Sequence, residues 1–517
     1  MYLAHYYILL SLIVGLNCFF CPKIWNLRNI QMLSWVARIN YSYRNRYLLT
    51  VSSRWDGSSK FAKDKRWGMF PSAALAWRIN DEAFMEGTQD WLSNLKFRVS
   101  YGVTGNNAGV GAYQTLSMAD TKYYYNFGGA VANGYGYALS NGDLTWEKTK
   151  EFNIGLDFGF INNRINGSID FYNRNSEDLL MDLKTPLEMG SSTGAIVSNV
   201  GKVRNRGVEI TLNTLNVQTR DWRWETTFTY GRNVNSIVEL NGGKEDLVGN
   251  KWFIGHDIDV VYGYKILGIA DLEYAKKACT DSSIPSVHEG EVIYEDINKD
   301  GVINASDRQI LGHASPTWTG SFNTSVNYKN WDFSMSVYAS MGGTVYSPFM
   351  REFCRYGSRG TQHLKIDYYI PEGAPVIKDP SAFEIISGLN KITDASVTSA
   401  GVTYASETHH GYWPFPTSTN GNGGGTAFNT DNDANSYYFV DNSFVRIKNI
   451  TLGYTFPSTW MQKLRIQSLR VYCNIINPFT WVKDYEGFDP EWANASVTNG
   501  KGGVSSRTYQ VGINLKF

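Results

Sequence analysis

The sequence predicts an all-β fold, a transmembrane antiparallel β-barrel, and three observations predict it. Stretches of about ten residues alternate apolar and polar side chains, the period of a strand that separates two different surroundings. Aromatic residues gather near the ends of these stretches, where the two interfaces of a bilayer would lie. Short turns alternate with long polar connections, the usual asymmetry of a barrel in an outer membrane.

Composition supports the same class and excludes others. The 517 residues include 49 Gly, 33 Tyr, 26 Phe and 16 Trp, an aromatic share of 15%. With a mean hydropathy of −0.31, the chain is too aromatic for disorder and too polar for a bundle of membrane helices. Lys+Arg and Asp+Glu both number 48, so no excess of charge points to nucleic acid. Cys18, Cys21, Cys279, Cys354 and Cys473 make no disulfide framework. The Cys18/Cys21 pair lies in an apolar run with no second pair to complete a zinc site, and reads as incidental.

Residues 1–30 form an apolar segment of unclear role. The run "YYILLSLIVGLNCFFC" is the sole membrane-helix candidate. It lacks a basic start and a small-x-small cleavage site, and Asn17 stands where a lipoprotein signal needs a small residue before Cys18. Three readings stay open: a degenerate export signal, a membrane anchor, or sequence upstream of a truncated gene start.

Residues 31–517 form the wall. In "SWVARINYSYRNRYLLTVSSRW", Ala37, Ile39, Tyr41 and Tyr43 descend one face, Arg44, Asn45 and Arg46 turn, and Tyr47, Leu49, Val51 and Trp55 return. "LKFRVSYGVTGN" repeats the unit with Leu95, Phe97, Val99, Tyr101 and Val103, and "FNIGLDFGFINNRINGSIDFYNRNSEDLL" gives two strands joined at Asn162 to Arg164. Further units follow in "RGVEITLNTLNVQTRDWRWETTFTYGRNVN", "WTGSFNTSVNYKNWDFSMSVYAS", "FVRIKNITLGYTF" and "LRVYCNIINPFTW". The tail "SSRTYQVGINLKF" sends Tyr509, Val511, Ile513, Leu515 and Phe517 to one side. The expectation is about fourteen strands, a partial or mid-sized barrel. Between them lie long loops at 105–142, 241–315, 342–438 and 484–503, where recognition is expected.

One stretch has metal-ligand spacing. In "YEDINKDGVINASDRQILG", Asp296, Asn298, Asp300 and the Val302 carbonyl fall at positions 1, 3, 5 and 7 of a calcium loop, with Gly301 at the sharp turn and Asp307 at position 12. An Asx-rich turn without an ion is the plainer alternative. Aromatic loop residues Tyr123, Tyr124, Tyr125, Tyr412 and Trp413 are candidates for stacking on a substrate, or for packing loops together. No HExxH or P-loop is present, and pairs such as Asp56/Asp64 or Asp221/Glu225 read as wall or turn charges, so no enzyme is expected.

Several of these stretches together carry a resemblance. "RWDGSSKFAKDKRWGMFPSAALAWRINDEAF", "LTWEKTKEFNIGLDFGFINNRINGSIDFYNRNSEDLL", "NVGKVRNRGVEITLN", "YEDINKDGVINASDRQILG" and "NPFTWVKDYEGFDPE" are similar, in order, to the C-terminal half of the SusC/RagA family. That family comprises TonB-dependent outer-membrane transporters of Bacteroidetes. The resemblance implies a barrel of about 22 strands, plugged by an N-terminal domain, that imports oligosaccharides or peptides with TonB energy beneath a SusD-like lipoprotein. The plug, TonB box and first strands find no match here. The chain is thus expected to be a truncated barrel portion in outer-membrane lipid, not functional alone, reaching the TonB complex only through a plug it lacks. The alternative is a calcium-stabilised surface glycan-binding or adhesin β protein, whose strands would run only ~5–6 residues.

Overall fold

The computed structural model describes residues 9–19, 30–116, 118–186, 188, 194–347, 369–373, 375–378, 384–385, 402–414, 438–463, 465–484, 489–492 and 506–517. Among them, fourteen antiparallel strands form one continuous sheet. Numbered in chain order they are β1 (Leu9–Phe19), β2 (Ile30–Tyr43), β3 (Tyr47–Ser58), β4 (Trp67–Arg78) and β5 (Leu92–Asn106). Next come β6 (Glu147–Phe160), β7 (Ile165–Lys184), β8 (Ala195–Gln218), β9 (Trp222–Glu239) and β10 (Trp318–Tyr328). The last are β11 (Trp331–Met341), β12 (Phe444–Thr455), β13 (Ser468–Val482) and β14 (Thr508–Lys516). Each pairs with its sequence neighbours, so the sheet is a pure meander.

The apolar run expected as a membrane-helix candidate is strand here. Residues Leu9 to Phe19 pair in continuous register with Asn40 to Ile30 of β2. No helix among the described residues is long and apolar enough to cross a membrane. A continuous apolar run fits a strand and a helix equally, so periodicity alone cannot separate them.

The two faces of the sheet follow the alternation. Apolar residues of one parity stay exposed: Tyr47, Leu49 and Val51 on β3, Phe97 and Tyr101 on β5, Phe322 on β10, and Tyr509, Val511, Ile513 and Leu515 on β14. A soluble sandwich would bury this face against a second sheet. A wall in hydrocarbon presents it to lipid.

The opposite face is tied together by side-chain hydrogen bonds. Thr50 donates to Asn40 at 2.9 Å and Thr227 to Asn213 at 2.9 Å. Thr451 donates to Asn474, which passes the chain on to Gln510 at 3.0 Å. Three glycines let partners meet across an intervening strand. Over Gly155 the Arg98 guanidinium reaches Asp170 at 3.0 Å while also gripping Asp157 at 2.7 Å. Over Gly207 the Tyr172 hydroxyl donates to Asn233 at 3.0 Å. Over Gly453, Arg470 binds Asp332 at 2.5 Å. A Cβ at Gly155 would stand 2.5 Å from Asp170, and one at Gly453 2.5 Å from Asp332, so any larger residue closes the passage.

Buried cores lie at one end, formed by connections and the strand ends beside them. Phe61, Phe70, Val110, Leu144 and Trp146 make one cluster, Val203, Ile237 and Leu240 a second, and Ala270, Ala278 and Val287 a third.

Candidate functional site

Antiparallel neighbours place successive connections at alternate ends of the sheet. Residues 44–46, 79–91, 161–164, 219–221, 329–330 and 456–467 lie at one end. The strand ends that bound residues 59–66, 107–146, 185–194, 240–317, 342–443 and 483–507 lie at the other. The long polar loops expected from sequence therefore all start and finish at the same end of the sheet, and that end is the candidate site; most of 342–438 and 484–503 lies outside the described residues.

Its base is rigid. The Phe70 ring lies over Gly105, where a Cβ would come within 2.0 Å of it, and packs edge-on to Trp146 at 5.4 Å. The Trp146 indole N–H donates to the Arg66 carbonyl at 3.1 Å. Lys60 reaches the Asn107 carbonyl at 2.9 Å, and burial pulls its ammonium pKa below the ordinary lysine value. Further round, Arg446 of β12 is 2% exposed and binds Asp489, 1% exposed, at 2.7 Å. Its other nitrogens reach Thr480 at 3.1 Å and Glu491 at 3.3 Å. This buried pair pins the short turn Pro490–Trp492 to the wall.

The connection 240–317 folds into a small unit of its own. Strand Val260–Tyr264 pairs with Arg308–His313, Ile266–Ile269 pairs with Val292–Tyr294, and helix Leu272–Thr280 is capped by the Asp271 carboxylate accepting the Tyr274 N–H at 2.7 Å. Tyr294 is pushed up to about 12 by burial. The expected calcium residues all sit on the turn that follows. Asp296 accepts N–H bonds from Lys299 at 2.7 Å and Gly301 at 2.8 Å. Asp300 accepts from Val302 at 2.8 Å, and the Asn298 amide donates to Asp300 at 2.8 Å. Asp307, fully buried, folds back to accept from Ile297 at 3.0 Å and Asn304 at 2.8 Å. The carboxylates thus serve the loop's own amides, and no metal-holding group of three His, Cys, Asp or Glu occurs among the described residues.

Sequence reasoning passed over a cleft of about 460 Å³ lined by Tyr172, Glu209, Arg232, Asn233, Asp257 and His313. One Asp257 oxygen is buried without a hydrogen-bond partner, and His313 Nδ1 stands 4.0 Å from the other. Burial raises the Asp257 pKa above the ordinary carboxylate value, Asp259 adding to the rise and His313 opposing it. The folded state therefore holds more protons than the unfolded state just above pH ~3.9, so stability falls as pH rises through that window. Asp257→Asn should flatten this dependence, making residues 240–317 more protease-resistant than wild type at pH 7 and equal at pH 3. Identical pH profiles would contradict it.

The aromatic candidates separate. Tyr412 is exposed and lines a cleft of about 500 Å³ with Ile266, Leu267, Tyr369 and Phe439. Trp413 is 7% exposed and packs on Tyr438 at 6.3 Å, so it joins loops together. Tyr369 donates to Glu289 at 3.2 Å, and burial with that carboxylate pushes its phenol up to about 12. Tyr123, Tyr124 and Tyr125 belong to a hairpin, Met118–Phe127 with Ala130–Ala138, but their side chains lie outside the described residues. Within the loop expected at 105–142 this hairpin is a difference from the sequence reading, and the turn signal that could have found it is the Gly128-Gly129 pair, with φ of 60° and 102°.

On the polar face of the wall, a further cavity of about 720 Å³ is lined by Asn166, Asn213, Thr227, Asn323, Ser325 and Ser336 among others. Asp56 and Glu225 each pair with an arginine, Arg54 at 2.7 Å and Arg223 at 2.6 Å, which makes them wall charges.

Comparison with known proteins decides the family. Residues 30–374 match the family described as "TonB dependent receptor-like, beta-barrel". The chain belongs to that family. It is 32% identical over 94% of its length to the TonB-dependent receptor SusC of Bacteroides thetaiotaomicron, covering 44% of that protein. It is 29% identical over 95% of its length to the TonB-dependent receptor P3 of Formosa agariphila, covering 46%. The chain thus spans about half the length of the curated relatives it matches. In fold it is similar to a structure of the RagAB peptide transporter, with a TM-score of 0.69, 24% identity, and coverage of 95% of this chain and 48% of that one. The curated relatives are TonB-dependent receptors, and membership of that family places this barrel wall in the outer membrane. The alternative of a soluble adhesin is set aside, because the long strands leave their apolar parity exposed.

Proposed function

We propose that this TonB-dependent receptor chain supplies wall and outer-face loops to an importer of oligosaccharides or peptides, working with a SusD-like lipoprotein over the long-loop end. The observation that supports it is that every long connection starts and finishes at one end of a two-faced wall. The cavity on the polar face, lined mainly by amides and hydroxyls with one Arg223–Glu225 ion pair, suits polar oligomers. Strands β1 and β14 are the edges of the described sheet. In hydrocarbon an unpaired edge costs several kcal/mol per unsatisfied group, so both edges take partner strands in the working barrel, and energy coupling requires a TonB-linked plug. Deletion in the native host should abolish growth on one oligosaccharide or peptide mixture and be restored by the intact locus. Unchanged uptake of every oligosaccharide and peptide tried, with the protein present in the outer membrane, would overturn the proposal.

The spacing of residues 296–307 further proposes a calcium ion, which would have to draw Asp296, Asp300 and Asp307 from their amides onto itself. Extracellular modules bind at ~10⁻⁴–10⁻³ M. Millimolar Ca²⁺ should then slow protease cleavage between residues 290 and 312 of the intact chain, and Asp300→Ala should remove the effect. Cleavage indifferent to calcium leaves a turn held by its own amides.

A further inference from the structure

We propose that the short-turn end of the wall is a binding surface for anionic phospholipid headgroups. Turn is joined to turn along this rim: the Arg46 carbonyl accepts the Arg78 N–H at 2.8 Å, Asp221 that of Lys329 at 2.8 Å, and Asn330 that of Thr455 at 2.8 Å. Just inside the turns runs a collar of aromatic pairs. Tyr47 stacks on Trp77 at 6.3 Å, Trp91 on Phe160 at 6.0 Å, Trp222 meets Tyr328 at 4.2 Å, and Trp331 meets Tyr454 at 4.8 Å. Two short helical inserts add largely exposed aromatics, Phe84 at 69% and Trp460 at 57% exposure. Such rings belong at headgroup depth, with an apolar body in the acyl region and a polar surrounding.

Immediately beyond the collar stands a row of exposed cations, one on each of five turns: Arg44, Arg164, Arg220, Lys329 and Arg465. Arg44 lies over the Tyr43 ring at 5.3 Å and Lys329 over Tyr328 at 5.4 Å. Each charge is thereby held at the level where a collar ring meets the headgroups. The acidic groups of this rim cluster on the one remaining turn, Asp81, Glu82, Glu86 and Asp90, with Asp221 the exception. Two of them are already paired within the rim, Asp81 with Arg78 at 3.1 Å and Glu82 with Arg46 at 3.1 Å. The row of cations thus faces the leaflet on five turns, and its complement is a phosphate-bearing headgroup. In an outer membrane the short turns lie on the inner, phospholipid side, so the occupant is phospholipid and not outer-leaflet lipopolysaccharide.

The test uses the intact protein, purified from outer membranes and reconstituted in phosphatidylethanolamine vesicles, with spin-labelled phosphatidylglycerol and phosphatidylcholine as probes. Wild type should bind the anionic probe about threefold or more over the zwitterionic one at low salt, and lose that preference at high salt. The variant Arg44→Gln/Arg220→Gln/Lys329→Gln/Arg465→Gln should bring the ratio close to one while keeping heat-modifiable gel mobility. Arg164, which also donates to the Leu215 and Asn216 carbonyls, is left intact. The matching set with each arginine changed to lysine should keep the preference. Equal ratios for wild type and the glutamine variant, no preference in wild type, or stronger selection of lipopolysaccharide than of phosphatidylglycerol would each overturn the proposal.

Discussion

Replacing Arg446 by methionine should cost about 3–5 kcal/mol, the largest single loss open to a side chain at the long-loop end. The reason is what remains behind. Arg446 and Asp489 are 2% and 1% exposed and joined at 2.7 Å, so removing the guanidinium strands a carboxylate where water cannot reach it. The same guanidinium also satisfies Thr480 at 3.1 Å and lies over the Phe444 ring at 5.5 Å. Its loss would loosen the Pro490–Trp492 turn, leaving it held by the Asn442 side-chain amide, which donates to the Pro490 carbonyl at 2.7 Å, and by the Lys448–Glu491 ion pair. Proteolysis between residues 484 and 505 should accelerate by more than about tenfold, while the heat-modifiable mobility of the wall stays unchanged. Adding Asp489→Asn to Arg446→Met should recover part of the loss, because the stranded charge is then gone. Wild-type cleavage in the single variant would show that the pair does not hold the turn.

That pair also marks the limit of what the sequence discloses. The wall was legible because its cause is local: lipid on one side and polar surroundings on the other force a period of two on each strand. Leu95, Phe97 and Tyr101, or Tyr509, Val511 and Ile513, could be assigned to a face without knowing any neighbour. Arg446 and Asp489 are 43 positions apart, and nothing in either segment announces the other. The same holds for Arg98 with Asp170, 72 positions apart. Here a cue did exist, since a glycine inside an otherwise regular strand signals a close approach, and Gly155, Gly207 and Gly453 each mark one.

The apolar run Leu9–Phe19 was illegible for a different reason. Its side chains do not alternate, so only pairing with β2 reveals the strand. The calcium spacing was legible and its outcome was not. The same Asp and Asn residues that could cage a cation also cap the loop's own N–H groups, and spacing cannot tell which set of partners wins.

The second large effect tests the placement of the wall itself. Phe322 lies mid-strand on β10 with its ring exposed, between Phe228 of β9 and Val337 of β11. Phe322→Lys would put an ammonium into hydrocarbon at a cost of about 2–4 kcal/mol near the midplane. Ser325, of opposite parity on the same strand, lines the polar cavity, so Ser325→Lys meets amides, hydroxyls and water and should change stability by less than about 0.5 kcal/mol. The two variants share charge and strand and stand three residues, about 10 Å, apart along it, so the face they point to is the main difference between them. Midpoints of heat-modifiable mobility in matched bilayers should therefore fall sharply for Phe322→Lys and hardly at all for Ser325→Lys. Equal effects would mean that the exposed parity faces water, and a water-facing Phe322 parity is incompatible with a wall that spans a membrane.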